Sequence, residues 1–378
     1  MGRCAQHAEC GDRRWSHRQG EQDVGLVASE AIVDLGAFAH NVRHLRSVVR
    51  PAELMVVLKA NAYGHGVAET GAAAVAAGAR WLGVLDIDSA LRLRESGIDP
   101  GIRIMAWQYL PDQRFDRAVQ ADIDLGVSTI TELEAVAAAA GAAPARIHLK
   151  IDTGLMRNGA TADDWPALVV AARELQARRR VAIVGIWTHL AEASEDADSA
   201  AVDRFVAAVD VAAGLGVTFE FRHLAASSAG FRRDDVRFDM VRMGGHTWGI
   251  PSFDGVTASD MGLIPVMTLR SEVTAVKGDL AEVPLGYADG VPVRAAGLLD
   301  VAIRGRRRRI RSVGNDYVVI EDSADVAVGD EVTLFGSGAA GEQTVREWGD
   351  LTQTLGDEIV TRISSRVARR YVGDANST

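Results

Sequence analysis

The chain has 378 residues, 48% apolar and 24% charged, a balance typical of globular proteins and long enough for more than one core. Its net charge of −10 argues against nucleic acid or an anionic membrane as a general partner. The two cysteines, Cys4 and Cys10, fall in the first ten residues and cannot staple a folded body, which points to a reducing cytoplasm.

Residues 1–28 are polar, carry many arginines and histidines, and lack an apolar run of signal-peptide length, so a disordered extension is expected. No later stretch reads as a membrane span. AIVDL (31–35) reads as a strand, and a helical pattern starts near Ala37. Short apolar runs then alternate with alanine-rich helical segments. They end at Lys59, Asp86, Trp107, Val127, Asp152, Trp187, Leu224 and Met243. Eight such units imply parallel pairing and closure into a (β/α)8 TIM barrel, an α/β fold. The runs are apolar throughout, as strands buried on both faces should be. Beyond Pro251 the pattern becomes short β-like runs broken by glycines and charges, and helical pattern returns only around Glu347. The expected plan is a barrel over 29–250 and an all-β domain over 251–378, with the strand at 31–35 a candidate to join the latter. The arginine run 306–309 is expected to be an exposed basic turn between two strands.

Chemistry in such barrels collects at the C-terminal ends of the strands. Lys59 leaves the first strand there, where partial desolvation would make its amine a usable nucleophile and base. Tyr63, Gly64, His65 and Gly66 follow as a polar turn suited to close backbone approach. Lys150, Asp152 and Arg157 follow the fifth strand, and Thr188 with His189 the sixth. Ser227 and Ser228 follow the seventh, and Gly244 with Gly245 the eighth. Loops after the seventh and eighth strands commonly bind phosphate.

VVLKANAYGHG (56–66) resembles the pyridoxal-phosphate (PLP) lysine motif of the alanine racemase family, fold type III. The resemblance extends through HLKIDTGLMRNG (148–159), GIWTHLAEA (185–193), MVRMGG (240–245), VPLGYADG (283–290), RSVGNDYVVI (311–320) and GDEIVTRISSRVAR (356–369). It implies that Lys59 carries PLP and that Tyr63 and Ser227 bind its phosphate. By the same resemblance His189 lies against the pyridine ring and Arg242 faces its nitrogen. Arg157 would hold the substrate carboxylate and a PLP oxygen, oriented by Lys150, which is often carbamylated in the family. Asn315 and Asp316 fall at the family's substrate-carboxylate loop, and Tyr287 at an entrance supplied by a neighbouring subunit. A homodimer with shared sites and a small amino acid as substrate are implied. An arginine is always a donor, so Arg242 would keep the ring nitrogen unprotonated and favour proton exchange at Cα over deeper delocalisation.

The resemblance also breaks. The family's second base is a tyrosine in a hairpin upstream of GYADG; here MTLRSEVTAVK ends at Lys277, and Tyr287 follows ten residues later. No other tyrosine lies between Tyr109 and Tyr287. Asp357 stands where a phosphate-contacting tyrosine is common, and Gly314, Asn315 and Asp316 replace a cysteine-methionine-aspartate turn. The expectation is a PLP-dependent racemase or epimerase lacking the usual second base, with Tyr287 the nearest substitute. The alternatives are a one-faced, aldolase-type lyase acting on a larger amino acid and a catalytically impaired PLP-binding protein.

Overall fold

A computed structural model describes residues 29–109, 113–192 and 194–375. The extension expected over 1–28, with Cys4 and Cys10, lies outside the described residues. Strand β1 (Glu30–Asp34) leads into a helix, Leu35–Val48, whose first turn is capped by the Asp34 carboxylate accepting from the Ala37 amide at 2.9 Å. Eight parallel strands follow: β2 (Glu53–Val57), β3 (Trp81–Val84), β4 (Arg103–Ala106), β5 (Asp124–Val127), β6 (Ala145–Lys150), β7 (Val181–Trp187), β8 (Phe221–His223) and β9 (Met240–Met243). Each pairs with its successor from β2 to β8, and β9 returns beside β2. Between β8 and β9 closure rests on isolated contacts. The Asp239 amide donates to the Arg222 carbonyl at 3.1 Å, and the Arg242 amide to the Ala225 carbonyl at 3.1 Å.

The strands run where the apolar segments predicted them, because each is shielded by helices on one side and by the filled interior on the other. Met55, Trp81, Met105, Trp187 and Met240 plug that interior, so the barrel is a packed core rather than a pore. Side-chain caps open the intervening helices Ile87–Glu95 (Asp86), Ile130–Ala139 (Thr129) and Glu195–Gly214 (Ser194).

The remaining strands are β10 (Met267–Glu272), β11 (Ala275–Lys277), β12 (Leu280–Val283), β13 (Asp300–Ile303), β14 (Arg306–Val313), β15 (Val318–Ile320), β16 (Glu331–Phe335) and β17 (Ala368–Val372). With β1 they form one sheet, in the order β11-β12-β15-β14-β13-β16-β10-β1-β17. The first strand of the chain thus lies inside the C-terminal sheet, antiparallel to β10 and parallel to β17. Strands β11 and β12 are joined across Gly278 and Asp279, with Lys277 opposite Leu280 and a left-handed φ of 64° at Gly278.

The arginine run corrects its sequence reading. All four residues lie in β14, not in a turn; the turn is Arg304 and Gly305. Arg306 and Arg308 pair with Asp325, Arg307 with Glu347, and Arg309 with Asp300, so the run is an ion-paired strand with Arg308 buried. Two late helices, Val345–Thr352 and Gly356–Arg362, bring the C-terminal segment against the barrel rim. Among the described residues no helix is long and apolar enough to cross a membrane.

Candidate active site

The backbone after β2 departs from every regular form. Ala60, Asn61, Ala62 and Tyr63 are consecutive non-glycine residues with φ between 52° and 56°. Left-handed backbone costs roughly 1–2 kcal/mol per residue outside glycine, so the surroundings must hold this turn. The Gly64 amide donates to the Ala60 carbonyl at 3.0 Å, and the Val67 amide to Asn61 Oδ1 at 3.0 Å. The C-terminal segment presses on the same turn. Arg369 Nε donates to the Gly64 carbonyl at 2.9 Å, and a Cβ on Gly64 would stand 2.6 Å from the Val360 carbonyl oxygen. Behind it the His65 ring stacks on Trp248, with centroids 4.2 Å apart. The turn presents Lys59 and Tyr63 at the rim as one fixed unit.

Lys59, Tyr63, Lys150, Arg157, His189, Ser227, Arg242, Gly244 and Gly245 line one cavity of about 690 Å³. Tyr287, Asn315 and Asp316 do not line it. They form a separate cluster, in which the Tyr287 amide donates to the Gly314 carbonyl at 3.0 Å and the Ala288 amide to the Asn315 carbonyl at 2.9 Å. Tyr287 is 54% exposed there.

The barrel interior holds a feature that the sequence reading missed. Arg242 Nη1 lies 3.1 Å from His223 Nδ1, His223 Nε2 lies 3.0 Å from His148 Nδ1, and His148 Nε2 lies 3.2 Å from Asp124 Oδ2. A guanidinium can only donate, so His223 Nδ1 accepts and its Nε2 carries the proton. His148 Nδ1 must then accept, and His148 Nε2 donates to Asp124. One chain of donors thus runs from the rim to the barrel floor and fixes both tautomers. Arg103 and Arg146 hold the far carboxylate. Burial pushes the Asp124 carboxyl up, but the His148 hydrogen bond and the arginine charges override it and bring it down to about 2. At the rim, Arg242 Nη2 also donates to the carbonyls of Thr188 (2.8 Å) and Leu224 (3.1 Å) and to His189 Nδ1 (3.2 Å). Its Nε makes no hydrogen bond among the described residues, and the side chain lines the cavity. The signal was a histidine inside each of two apolar strands, RIHLK and FRHL, which a search for rim residues passes over.

Crowded cations set the electrostatics. Burial lowers the Lys59 amine and Arg157 adds to this, while Asp357 opposes it. Lys150 is pushed down to about 7, by burial first and then by Arg242 and Arg157; its Nζ bonds Asn158 Oδ1 and sits 4.2 Å from the Trp187 ring centre. Burial and then Arg242 bring His189 down to about 3, so it is neutral at ordinary pH. Arg157 has no hydrogen-bond partner among the described residues. Of the five lysines and arginines and four carboxylates that line the cavity, Arg346 is ion-paired with Asp254 and Asp350, so Lys59, Lys150, Arg157 and Arg242 stand against Glu192 and Asp357 alone and favour an anion.

The residues present fit PLP on one side with particular economy. A Cβ on Gly244 would meet the Tyr63 hydroxyl at 2.1 Å, and the Gly244 amide points at Ser227 Oγ at 3.2 Å. Bare backbone, a phenol and a serine hydroxyl therefore meet at one place, as a phosphate cradle requires.

Family models describe the same architecture. The alanine racemase N-terminal domain matches residues 33–251, and the alanine racemase C-terminal domain residues 266–371. The chain belongs to the alanine racemase family. The alanine racemase of Beutenbergia cavernae is 40% identical over 91% of this chain and 98% of that relative. The Mycobacterium leprae alanine racemase is 39% identical over 91% of this chain and 95% of its own length. Among solved structures, the alanine racemase of Streptomyces coelicolor A3(2) superposes with a TM-score of 0.89 at 38% identity, covering 92% of this chain and 98% of its own. That of D-cycloserine-producing Streptomyces lavendulae gives 0.88 at 38% identity, covering 92% and 97%. The family resemblance and the (β/α)8-plus-β fold expected from sequence are thus both borne out.

Proposed function

We propose that this protein is a PLP-dependent amino-acid racemase in which Lys59 anchors the cofactor and exchanges the Cα proton on one face of the substrate. The observation that carries this reading is the convergence of Lys59, Arg157, Arg242 and the Tyr63–Ser227–Gly244 cradle on one cavity. When bound, PLP supplies the electron sink that makes a Cα proton removable. Tyr63, Ser227 and the amides of Gly244 and Gly245 would hold its phosphate, and Arg242 Nε its ring nitrogen. Because Arg242 is a fixed donor, braced through His223, His148 and Asp124, it would keep that nitrogen unprotonated and favour proton exchange. Arg157, with no hydrogen-bond partner among the described residues, would take the substrate carboxylate bidentately. The lowered amine of Lys59 suits a base that must give its proton back.

Lys150 at about 7 has a large unprotonated fraction at neutral pH, the form that adds carbon dioxide. The resulting carbamate would place a negative charge beside Arg157 and fix its orientation.

The opposite face needs a second group. The chain has five tyrosines, and the turn between β11 and β12 carries none of them. Tyr63 is committed to the cradle, while Tyr287 and Tyr317 are 54% and 40% exposed. The reading assigns the second face to Tyr287 of a partner subunit, with Asn315 and Asp316 beside it, in a cytoplasmic homodimer whose barrel spans 29–250 and whose β domain spans 251–378. Solvent deuterium tests this directly: both enantiomers of a substrate amino acid should acquire Cα deuterium, and failure to label any amino acid would end the proposal.

A further inference from the structure

Asp357 is unused by the reading above, yet it stands in the cradle itself. It belongs to the first turn of the helix Gly356–Arg362 and lines the cavity. A Cβ on Gly245 would lie 2.8 Å from its Oδ1 and 3.1 Å from its Oδ2, so the carboxyl group rests on the bare backbone that the reading gives to phosphate. Oδ1 is buried and has no hydrogen-bond partner among the described residues. An ionised carboxylate there would face a phosphate dianion at close range in a poorly hydrated site.

The neighbouring groups offer little relief. From the turn after β2 come Lys59, the one charge that draws the Asp357 carboxyl down, and the Tyr63 phenol, itself raised by burial and then by Asp357. Lys59 is the residue that the reading commits to the cofactor. From the segment after β9, Gly244 and Gly245 bring only backbone, and His246 is engaged with Ser252. On the helix itself the Thr361 hydroxyl donates to the Asp357 backbone carbonyl, and Glu358 bonds Arg362 and Thr354. No arginine reaches the carboxyl group among the described residues.

We propose that Asp357 meets the cofactor phosphate as a carboxylic acid, donating its one O–H to a phosphate oxygen, so that cofactor binding takes up one proton from solvent. The step forms one O–H bond on the carboxyl group with a proton given up by hydronium or buffer acid, and one hydrogen bond from that O–H to a phosphate oxygen; no bond of the cofactor is made or broken. Burial has already pushed the free group up to about 6, so the protonated form is within reach near neutral pH. Linkage fixes the sign. Above the pKa of the free carboxyl, each pH unit removes about tenfold of the binding-competent form, and the dissociation constant rises by up to tenfold.

The proposal rests on the PLP reading, and its test separates the two. The full-length protein, stripped of cofactor, is titrated with PLP and with pyridoxal between pH 7 and 8.5. Pyridoxal shares the aldehyde chemistry at Lys59 and lacks the phosphate. For the wild type, the ratio of PLP to pyridoxal dissociation constants should rise by roughly thirtyfold across that range. In Asp357→Asn, which is neutral and still a donor, the ratio should stay flat. Calorimetry of the wild type in two buffers of different ionisation enthalpy needs no variant. It should show close to one more proton taken up for PLP than for pyridoxal at pH 7.5. A flat wild-type ratio with no excess proton uptake overturns the role of Asp357 alone. An equal slope in the variant overturns it as well. Failure of both ligands to bind removes the PLP reading and this proposal together.

Discussion

Replacing Asp124 with Asn should lower stability by about 3 kcal/mol at neutral pH, the low end for breaking a buried ion pair. The low end applies because Arg103 and Arg146 are 24% and 23% exposed, so water can recover part of what they lose. Part of this loss is tied to ionisation. The carboxyl is depressed from 3.8 to about 2, a displacement worth about 2 kcal/mol. A depressed carboxylate contributes fully above its unfolded pKa and loses that contribution as pH falls through the folded value, so about half should be gone by pH 3. Urea unfolding at fixed protomer concentration, followed by tryptophan fluorescence from pH 7 to pH 3, reads the difference between variant and wild type. The gap should narrow by about 1 kcal/mol on acidification. A gap of constant size, or one below about 1 kcal/mol throughout, would refute the assignment of Asp124 as the ionised anchor of the interior chain.

Other perturbations probe the rim. Gly244→Ala drives a methyl group into the Tyr63 hydroxyl, so PLP retention after gel filtration should fall at least tenfold while the far-ultraviolet circular dichroism stays unchanged. Protein equilibrated with carbon-13 bicarbonate should give one carbamate resonance that Lys150→Arg removes; its persistence in the variant would exclude Lys150. Tyr287→Phe should slow Cα exchange by ~10²–10⁴ from one enantiomer only. An equal loss from both would assign Tyr287 to binding instead.

Much of this was legible in the sequence because its causes are local. Continuously apolar runs such as LMVV and WLGV can be buried on both faces only inside a parallel sheet, and all eight became barrel strands. Rim residues could be read because each lies just past a strand end. The chain of Asp124, His148 and His223 could not be read that way. It depends on inward-facing residues from three strands coming within hydrogen-bond reach of one another at successive depths, and sequence spacing does not encode that registration. The arginine run misled for a related reason: its counter-charges Asp325, Glu347 and Asp300 come from separate segments. Tyr287, Asn315 and Asp316 carry motif signals but do not line the cavity, so sequence spacing alone does not bring them to it.

Borohydride reduction of the purified protein followed by peptide mapping tests the core of the account. The reduced cofactor adduct should appear on the peptide containing Lys59 and vanish in Lys59→Ala. An adduct on a different lysine, or none at any lysine of PLP-saturated protein, would contradict it.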